Sequence, residues 1–113
     1  MTLLARLIAQ EEGFGTSGAL PTRDNNPGDL RHAPHAQHPG DPNAIGMEPT
    51  VADGWADLER QLQLYAERGL TLEQMVNLYA PDSENNSVAY LTFLCEGLRL
   101  PPETSVAEAL KLA

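Results

Sequence analysis

The chain has 113 residues, of which 42% are apolar, and this suits one modest hydrophobic core in a single domain spanning 1–113. The net charge of -9 argues against a nucleic-acid partner, because phosphate binding needs clustered basic residues and the seven here are scattered. No segment is long and apolar enough to span a membrane, and residues 3–8 are too short for a signal-peptide core. The single cysteine, Cys95, excludes an internal disulfide.

The first predicted element is a short helix, because apolar side chains recur at helical spacing over residues 3–8. A threonine can cap its start, and two closely spaced glycines should end it. Residues 13–49 then carry most of the glycine and proline and little periodicity. This pattern predicts turns and one short β-hairpin, near Leu30 and residues 45–47.

From residue 50 onwards the pattern predicts four helices, so the expected fold class is mainly α. Each helix starts at a side chain that can accept a hydrogen bond from the first turn, and glycine or proline ends the first three. The predicted caps are Thr50, Thr71, Asn85 or Asn86, and Ser105, and the predicted stops are Gly69, Pro81 and Pro101.

Two adjacent acids, Glu11 and Glu12, end the first predicted helix. A carboxyl group beside apolar surface is costly to ionise, which raises its pKa and makes it a usable general acid near neutral pH. Helical periodicity favours Glu11 as the buried acid. The alternative is a pair of exposed acids at a helix end, which is common.

The stretch at 21–30 brings hydroxyl, carboxylate and amide groups together, in a pattern that suits either sugar binding or an ordinary polar turn. Its candidate site residues are Thr22, Asp24, Asn25 and Asn26. The stretch at 79–86 contains further candidate site residues. Tyr79 can stack on a sugar ring, while Glu84 and Asn85 can bind its hydroxyl groups. The alternative there is a core tyrosine followed by a proline stop and a helix cap.

Three histidines, His32, His35 and His38, lie near Asp41 and could in principle bind zinc. They lie in a loop interrupted by proline and glycine, with no helix or strand to fix their geometry. We therefore expect no structural metal at these histidines, and no cofactor.

Five short blocks in this order resemble the small lysozyme-like domains of tailed phages and bacteria, over roughly residues 5–100. The blocks are Glu-Gly-Phe at 12–14, Pro-Thr-Arg-Asp-Asn-Asn-Pro-Gly-Asp-Leu at 21–30, Asp-Gly-Trp at 53–55, Tyr-Ala-Pro at 79–81, and Glu-Asn-Asn-Ser at 84–87 with Tyr90. The segment 32–43 departs from that pattern, since it is longer and richer in histidine and proline.

The resemblance implies a two-lobed lysozyme fold, with a small irregular or β-hairpin lobe and a glycan cleft between the lobes. It implies that Glu12, rather than Glu11, is the general acid. It also implies that the turn at 25–28 lines the cleft. The residues expected to face that turn across the cleft are Tyr79, Glu84 and Asn85, and Tyr90 is a further expected substrate-binding residue.

The expected function is that of a muramidase, which cuts the β-1,4 bond between N-acetylmuramic acid and N-acetylglucosamine. Asp24 and Thr22 are the predicted groups for positioning water opposite Glu12. Two alternatives stay open, a lytic transglycosylase and a non-catalytic glycan-binding or virion structural module. The expected partner is peptidoglycan, with virion or delivery proteins as further candidates. The protein would be made in the cytoplasm without its own signal peptide and act on the cell wall.

Overall fold

The computed structural model describes residues 1–81 and 86–113. Six helices within these residues account for about half of the chain, and they confirm the predicted mainly α class. They are α1 (Leu3–Glu12), α2 (Leu20–Arg23), α3 (Val51–Glu67), α4 (Leu72–Tyr79), α5 (Ser87–Leu98) and α6 (Val106–Ala109). None of the helices in the described ranges has the length and apolarity needed to cross a bilayer.

Side-chain caps fix where five of the helices begin, as the sequence predicts. In each case an oxygen of the capping side chain accepts a backbone N–H of the first turn, which would otherwise lack a partner. At α4 the cap is reciprocal, because the Gln74 side chain also accepts the N–H of Thr71. The caps are Thr2 for α1, Thr50 for α3, Thr71 for α4, Asn86 for α5 and Ser105 for α6.

The hydrophobic core lies where α1, α3, α4 and α5 meet, with α6 packed against α3. Its largest fully buried apolar side chains are Leu4, Ile8, Leu58, Leu62, Leu72, Met75, Val76, Leu94 and Val106. In α5 the apolar side chain of Val88 is 72% exposed, whereas that of Tyr90 is 3% exposed. The helix carries apolar residues around most of its circumference, so the sequence does not reveal which side faces the core.

Helices α1 and α5 approach unusually closely, and a glycine makes this possible. A Cβ atom at Gly97 would lie 2.7 Å from the side chain of Leu7. Glu12 contacts Tyr90 further along the same interface, so α1 and α5 run antiparallel. Gly97 therefore sets the separation at which the last residue of α1 meets α5.

Residues 13–49, which we call the irregular segment, contain more helix and less strand than predicted. The short helix α2 was not predicted, because Ala19 before it provides no side-chain cap. The expected hairpin is reduced to one antiparallel bridge, between Gln37 and Met47. Next to it, the N–H of Gly46 donates to the carbonyl of Leu30 (2.9 Å), so the two predicted regions do meet.

The irregular segment packs against α3 through the turn at 25–28. A Cβ atom at Gly54 would lie 2.0 Å from the carbonyl oxygen of Asn25 and 2.8 Å from the ring of Pro27. A glycine inside a helix lowers its stability, but any larger residue at position 54 would clash with the turn. This contact holds the irregular segment against the helices and leaves a cleft beside it.

Candidate active site

The side chain of Glu12 lies at the C-terminal end of α1, where Gly13 ends the helix in the left-handed conformation. It is half-buried, whereas the neighbouring Glu11 is exposed. Helical periodicity favours burial of Glu11, but the structure buries Glu12 instead. The contact with α5, rather than the apolar face of α1, determines which of the two acids is buried. The Tyr90 hydroxyl donates a hydrogen bond to Oε2 of Glu12 (2.7 Å).

The environment of Glu12 favours its protonated form. The pKa of Glu12 is raised to about 7, mainly by burial and to a smaller extent by the nearby charges of Asp29 and Glu11. The hydrogen bond from Tyr90 acts in the opposite direction, because it stabilises the carboxylate. Burial also raises the pKa of Tyr90, so its hydroxyl remains a neutral donor. Glu12 is thus a carboxylic acid that can release a proton near neutral pH.

Glu12 opens onto a cleft of about 820 Å³ between the irregular segment and the helices. This volume suits a ligand of a few sugar rings, since small-molecule sites commonly span roughly 300–1,000 Å³. The lining residues from the irregular segment are Gly28, Asp29, Leu30, Arg31 and Ile45. Those from the helical side are Glu12, Gln61, Tyr65, Leu78, Tyr79 and Pro81.

Asp29 is a second carboxylate on the cleft wall, and sequence reasoning missed it as a site residue. Its Oδ1 atom is buried and has no hydrogen-bond partner in the described part of the chain. Burial and the charge of Asp24 raise the pKa of Asp29, while Arg31 lowers it. Its backbone adopts φ +52°, an uncommon value for a residue other than glycine. A buried carboxylate oxygen on the wall of a cleft, without a partner among the described residues, makes Asp29 a candidate functional group.

Asn26, predicted to bind substrate, is fully buried and holds the cleft wall together. Its amide nitrogen donates to the carbonyls of Leu30 (2.8 Å) and Gly46 (2.9 Å), and its amide oxygen accepts the N–H of Leu30 (3.0 Å). These bonds use all the donors of the side chain. Asn26 therefore positions the wall that carries Asp29 and has no donor left for a sugar.

The other residues predicted from 21–30 lie outside the lining of this cleft. The Thr22 hydroxyl accepts the N–H of Gly15 (2.8 Å). Asp24 lines a neighbouring hollow of about 470 Å³. The Asn25 amide donates to the carbonyl of Glu48 (3.3 Å), at a backbone φ of +54°. The structure thus brings Glu12 together with Asp29 rather than with Asp24 or Thr22.

Tyr79 is among the residues that line the cleft. Its hydroxyl donates to the carbonyl of Gly28, which joins α4 to the turn at 25–28. Tyr79 also packs edge-on against Tyr65, with ring centroids 6.5 Å apart. The predicted ligands Glu84 and Asn85 lie outside the described residues.

The three histidines do not act as one group. The rings of His32 and His38 pack together, with centroids 5.4 Å apart, and His38 Nε2 contacts the carbonyl oxygen of Arg31. His35 instead faces α3, where its Nδ1 atom lies 2.7 Å from Oδ1 of Asp57. The structure therefore assigns only His35 to a cluster of ionisable side chains.

Comparison with known proteins leaves this site to be interpreted from its own chemistry. No protein-family model, no curated protein and no solved structure matches the chain significantly.

Proposed function

We propose that the protein cleaves the glycan strands of peptidoglycan as a muramidase, with Glu12 as the general acid. The observation that carries this proposal is the environment of the Glu12 carboxyl group. It is a half-buried carboxyl group with a pKa of about 7, held by Tyr90 at the edge of a cleft large enough for sugar rings. The resemblance to lysozyme-like domains, in which the acid ends the first helix, supports the same residue.

In this proposal the fold is the two-lobed lysozyme type. The irregular segment forms the smaller lobe, the helices form the larger one, and the glycan strand lies between them. Tyr79, half-buried on the helical side and packed against the core residue Tyr65, gives an aromatic surface on which a sugar ring can pack. Asp29, Arg31 and Gln61 supply hydrogen-bonding groups along the same cleft.

The proposed reaction begins when Glu12 donates its proton to the glycosidic oxygen, and the bond from that oxygen to the anomeric carbon breaks. Asp29 then accepts a proton from a water molecule that attacks the anomeric carbon. The products are two glycan ends, one of them a new reducing end. Asp29 replaces Asp24 and Thr22 in this role, because it lines the cleft together with Glu12.

A lytic transglycosylase is the second candidate reaction, and a single observation favours it. The Oδ1 atom of Asp29 is buried, so this oxygen is poorly accessible to an attacking water molecule. The substrate would then supply its own nucleophile and leave an anhydro-sugar end. Glu12 has the same role as proton donor in both reactions. A non-catalytic glycan-binding or virion module would keep the cleft without this chemistry.

The proposed site of action is the cell wall or periplasm, reached from the cytoplasm with the help of virion or other delivery proteins. The substrate is the glycan strand itself, so no cofactor takes part in the proposed reaction. The acidic surface of the protein is compatible with solubility during delivery but does not identify a partner.

The test is digestion of purified peptidoglycan, followed by mass spectrometry of the released muropeptides. We expect reducing ends from the wild-type protein. Anhydro ends, lighter by one water, would indicate the transglycosylase. The Glu12→Gln variant should release nothing, whereas Glu11→Gln, the matched change at an exposed neighbour, should behave as the wild type. Binding of glycan without cleavage by the wild type would indicate the non-catalytic module.

A further inference from the structure

Three ionisable side chains converge away from the cleft, where the irregular segment meets α3. They are His35 and Glu48, from either side of the Gln37–Met47 bridge, and Asp57 from the middle of α3. Each provides at least one potential metal-binding atom, and these atoms all lie within 4.8 Å of one another. The backbone N–H of His35 also donates to Oδ2 of Asp57 (3.1 Å), which fixes the histidine against the helix.

Glu48 is the unusual member of this cluster. The residue is only 4% exposed, and both of its carboxylate oxygens are buried with no hydrogen-bond donor in the described part of the chain. Asp57 is 2% exposed and lies beside it. A buried carboxylate normally receives several hydrogen bonds, because removing it from water without them costs free energy. The cluster thus provides acceptors that no donor of the described chain satisfies.

A single proton cannot supply all the hydrogen bonds that the buried carboxylate oxygens lack. One proton shared between Glu48 and Asp57 occupies one oxygen of each carboxyl group, and the second oxygen of Glu48 remains without a donor. A positively charged His35 would balance the remaining negative charge of the pair, but it contacts Asp57 and donates no hydrogen bond to Glu48. A cation with two positive charges could balance both carboxylates and contact the unpaired oxygens directly.

We propose that His35, Glu48 and Asp57 form a binding site for a divalent transition-metal ion of the zinc class. One imidazole nitrogen with two carboxylates is a donor set used for zinc, whereas calcium and magnesium prefer oxygen ligands alone. Ligand atoms around tetrahedral zinc lie roughly 3.4 Å apart, given bonds of about 2.1 Å. Atoms already within 4.8 Å reach that spacing through small side-chain movements.

The role of such an ion is structural. It would join α3 to both sides of the bridge in the irregular segment, which has no sheet among its described residues to hold it. The backbone of Glu48 is already tied to the stretch at 21–30, because its N–H donates to the carbonyl of Asp24 (2.8 Å). The ion would therefore stiffen the segment that carries Asp29. This inference does not depend on the proposed glycosidase activity.

The first test is thermal unfolding of the chelator-treated protein with and without Zn²⁺. At a free Zn²⁺ concentration 100-fold above Kd, we expect the wild-type melting temperature to rise by roughly 10 °C. Glu48→Gln, which keeps the shape of the side chain, and His35→Ala should lose this rise. The matched control His32→Ala removes a histidine of the same loop outside the cluster, and it should keep the rise. An equal rise in Glu48→Gln would overturn the site.

A second measurement uses only the wild-type protein, so its result does not depend on whether the variants fold. On titration with Zn²⁺, the imidazole NMR signals of His35 should shift with a stoichiometry of one ion per chain, while those of His32 and His38 stay in place. Mg²⁺ at the same concentration should leave all three unchanged. Shifts confined to His32 and His38, or no binding of Zn²⁺ by the folded protein, would contradict the proposal.

Discussion

The hydroxyl of Tyr90 and the carboxylate of Glu12 are joined by a 2.7 Å hydrogen bond across 78 positions of the sequence. The tyrosine, itself buried, is a positioning residue for the acid, because it holds one carboxylate oxygen of a side chain that lines the cleft. It also stabilises the charged form of Glu12 and so keeps the pKa of this buried acid from rising further.

Tyr90→Phe tests this relationship through the pH dependence of peptidoglycan digestion. Removing the hydroxyl removes a bond to the carboxylate, so the pKa of Glu12 should rise above its wild-type value of about 7. The alkaline limb of the activity profile, where Glu12 loses its proton, should therefore move to higher pH. Tyr79→Phe is the control, because its hydroxyl bonds to Gly28 and not to Glu12. An unchanged limb in Tyr90→Phe would contradict the assignment.

Glu12→Gln should also change how stability depends on pH. The pKa of Glu12 is about 7 in the folded protein and near 4.5 when unfolded, so the folded state binds this proton more tightly. The contribution of Glu12 to stability is complete below pH 4.5 and is lost as the pH rises towards 7. Glu12→Gln should match the wild type at pH 4 and exceed it by about 2 kcal/mol at pH 8, after allowing for solvent screening. Urea unfolding at both pH values measures this difference, and an equal gain at pH 4 would contradict it.

Asp29→Asn and Asp24→Asn separate the two candidates for the second carboxylate. We expect Asp29→Asn to reduce the rate of hydrolysis by about 10²–10⁴-fold, because it removes the proposed base. Asp24→Asn should remain close to the wild type, since Asp24 lines the neighbouring hollow. Initial rates on purified peptidoglycan decide between them. The reverse result would restore the assignment to Asp24 that the sequence alone suggests.

Asn26→Ala should destabilise the protein without touching the acid. The change removes three hydrogen bonds and leaves buried groups of Leu30 and Gly46 without partners, at a cost of about 3 kcal/mol. Asn77→Ala, on the exposed side of α4, is the control and should change stability by less than about 0.5 kcal/mol. Chemical denaturation measures both. A loss of activity with unchanged stability would instead indicate that Asn26 contacts substrate.

The helices were the most predictable part of the structure, because their signals are local. A threonine or asparagine before an apolar stripe marks a helix start within a few residues, and Thr2, Thr50, Thr71 and Asn86 all do so here. The short helix α2 has no such side chain, and it was missed. Predictions from local sequence succeed where the determining hydrogen bond is itself local.

The candidate site was less predictable, because contacts distant in sequence determine it. Whether Glu11 or Glu12 is buried depends on α5, and helical periodicity within α1 favoured the wrong one of the two. Asp29 belongs to the same polar stretch as Asp24. The left-handed backbone at Asp29 and the bonds of Asn26 decide which of the two acids reaches the cleft. Neither feature leaves a periodic pattern in the sequence.

The bonds from the Asn26 amide close the base of a loop whose tip, residues 38–45, is largely exposed. Because the base is pinned by the Asn26 side chain, the Gly46–Leu30 hydrogen bond and a single bridge, the length of the tip is not tied to the register of a sheet. Doubling the length of a flexible loop costs only about 0.6 kcal/mol. Insertions or deletions in this tip can therefore reshape the rim of the cleft beside Arg31 and Ile45, while Glu12 and Tyr90 stay in place.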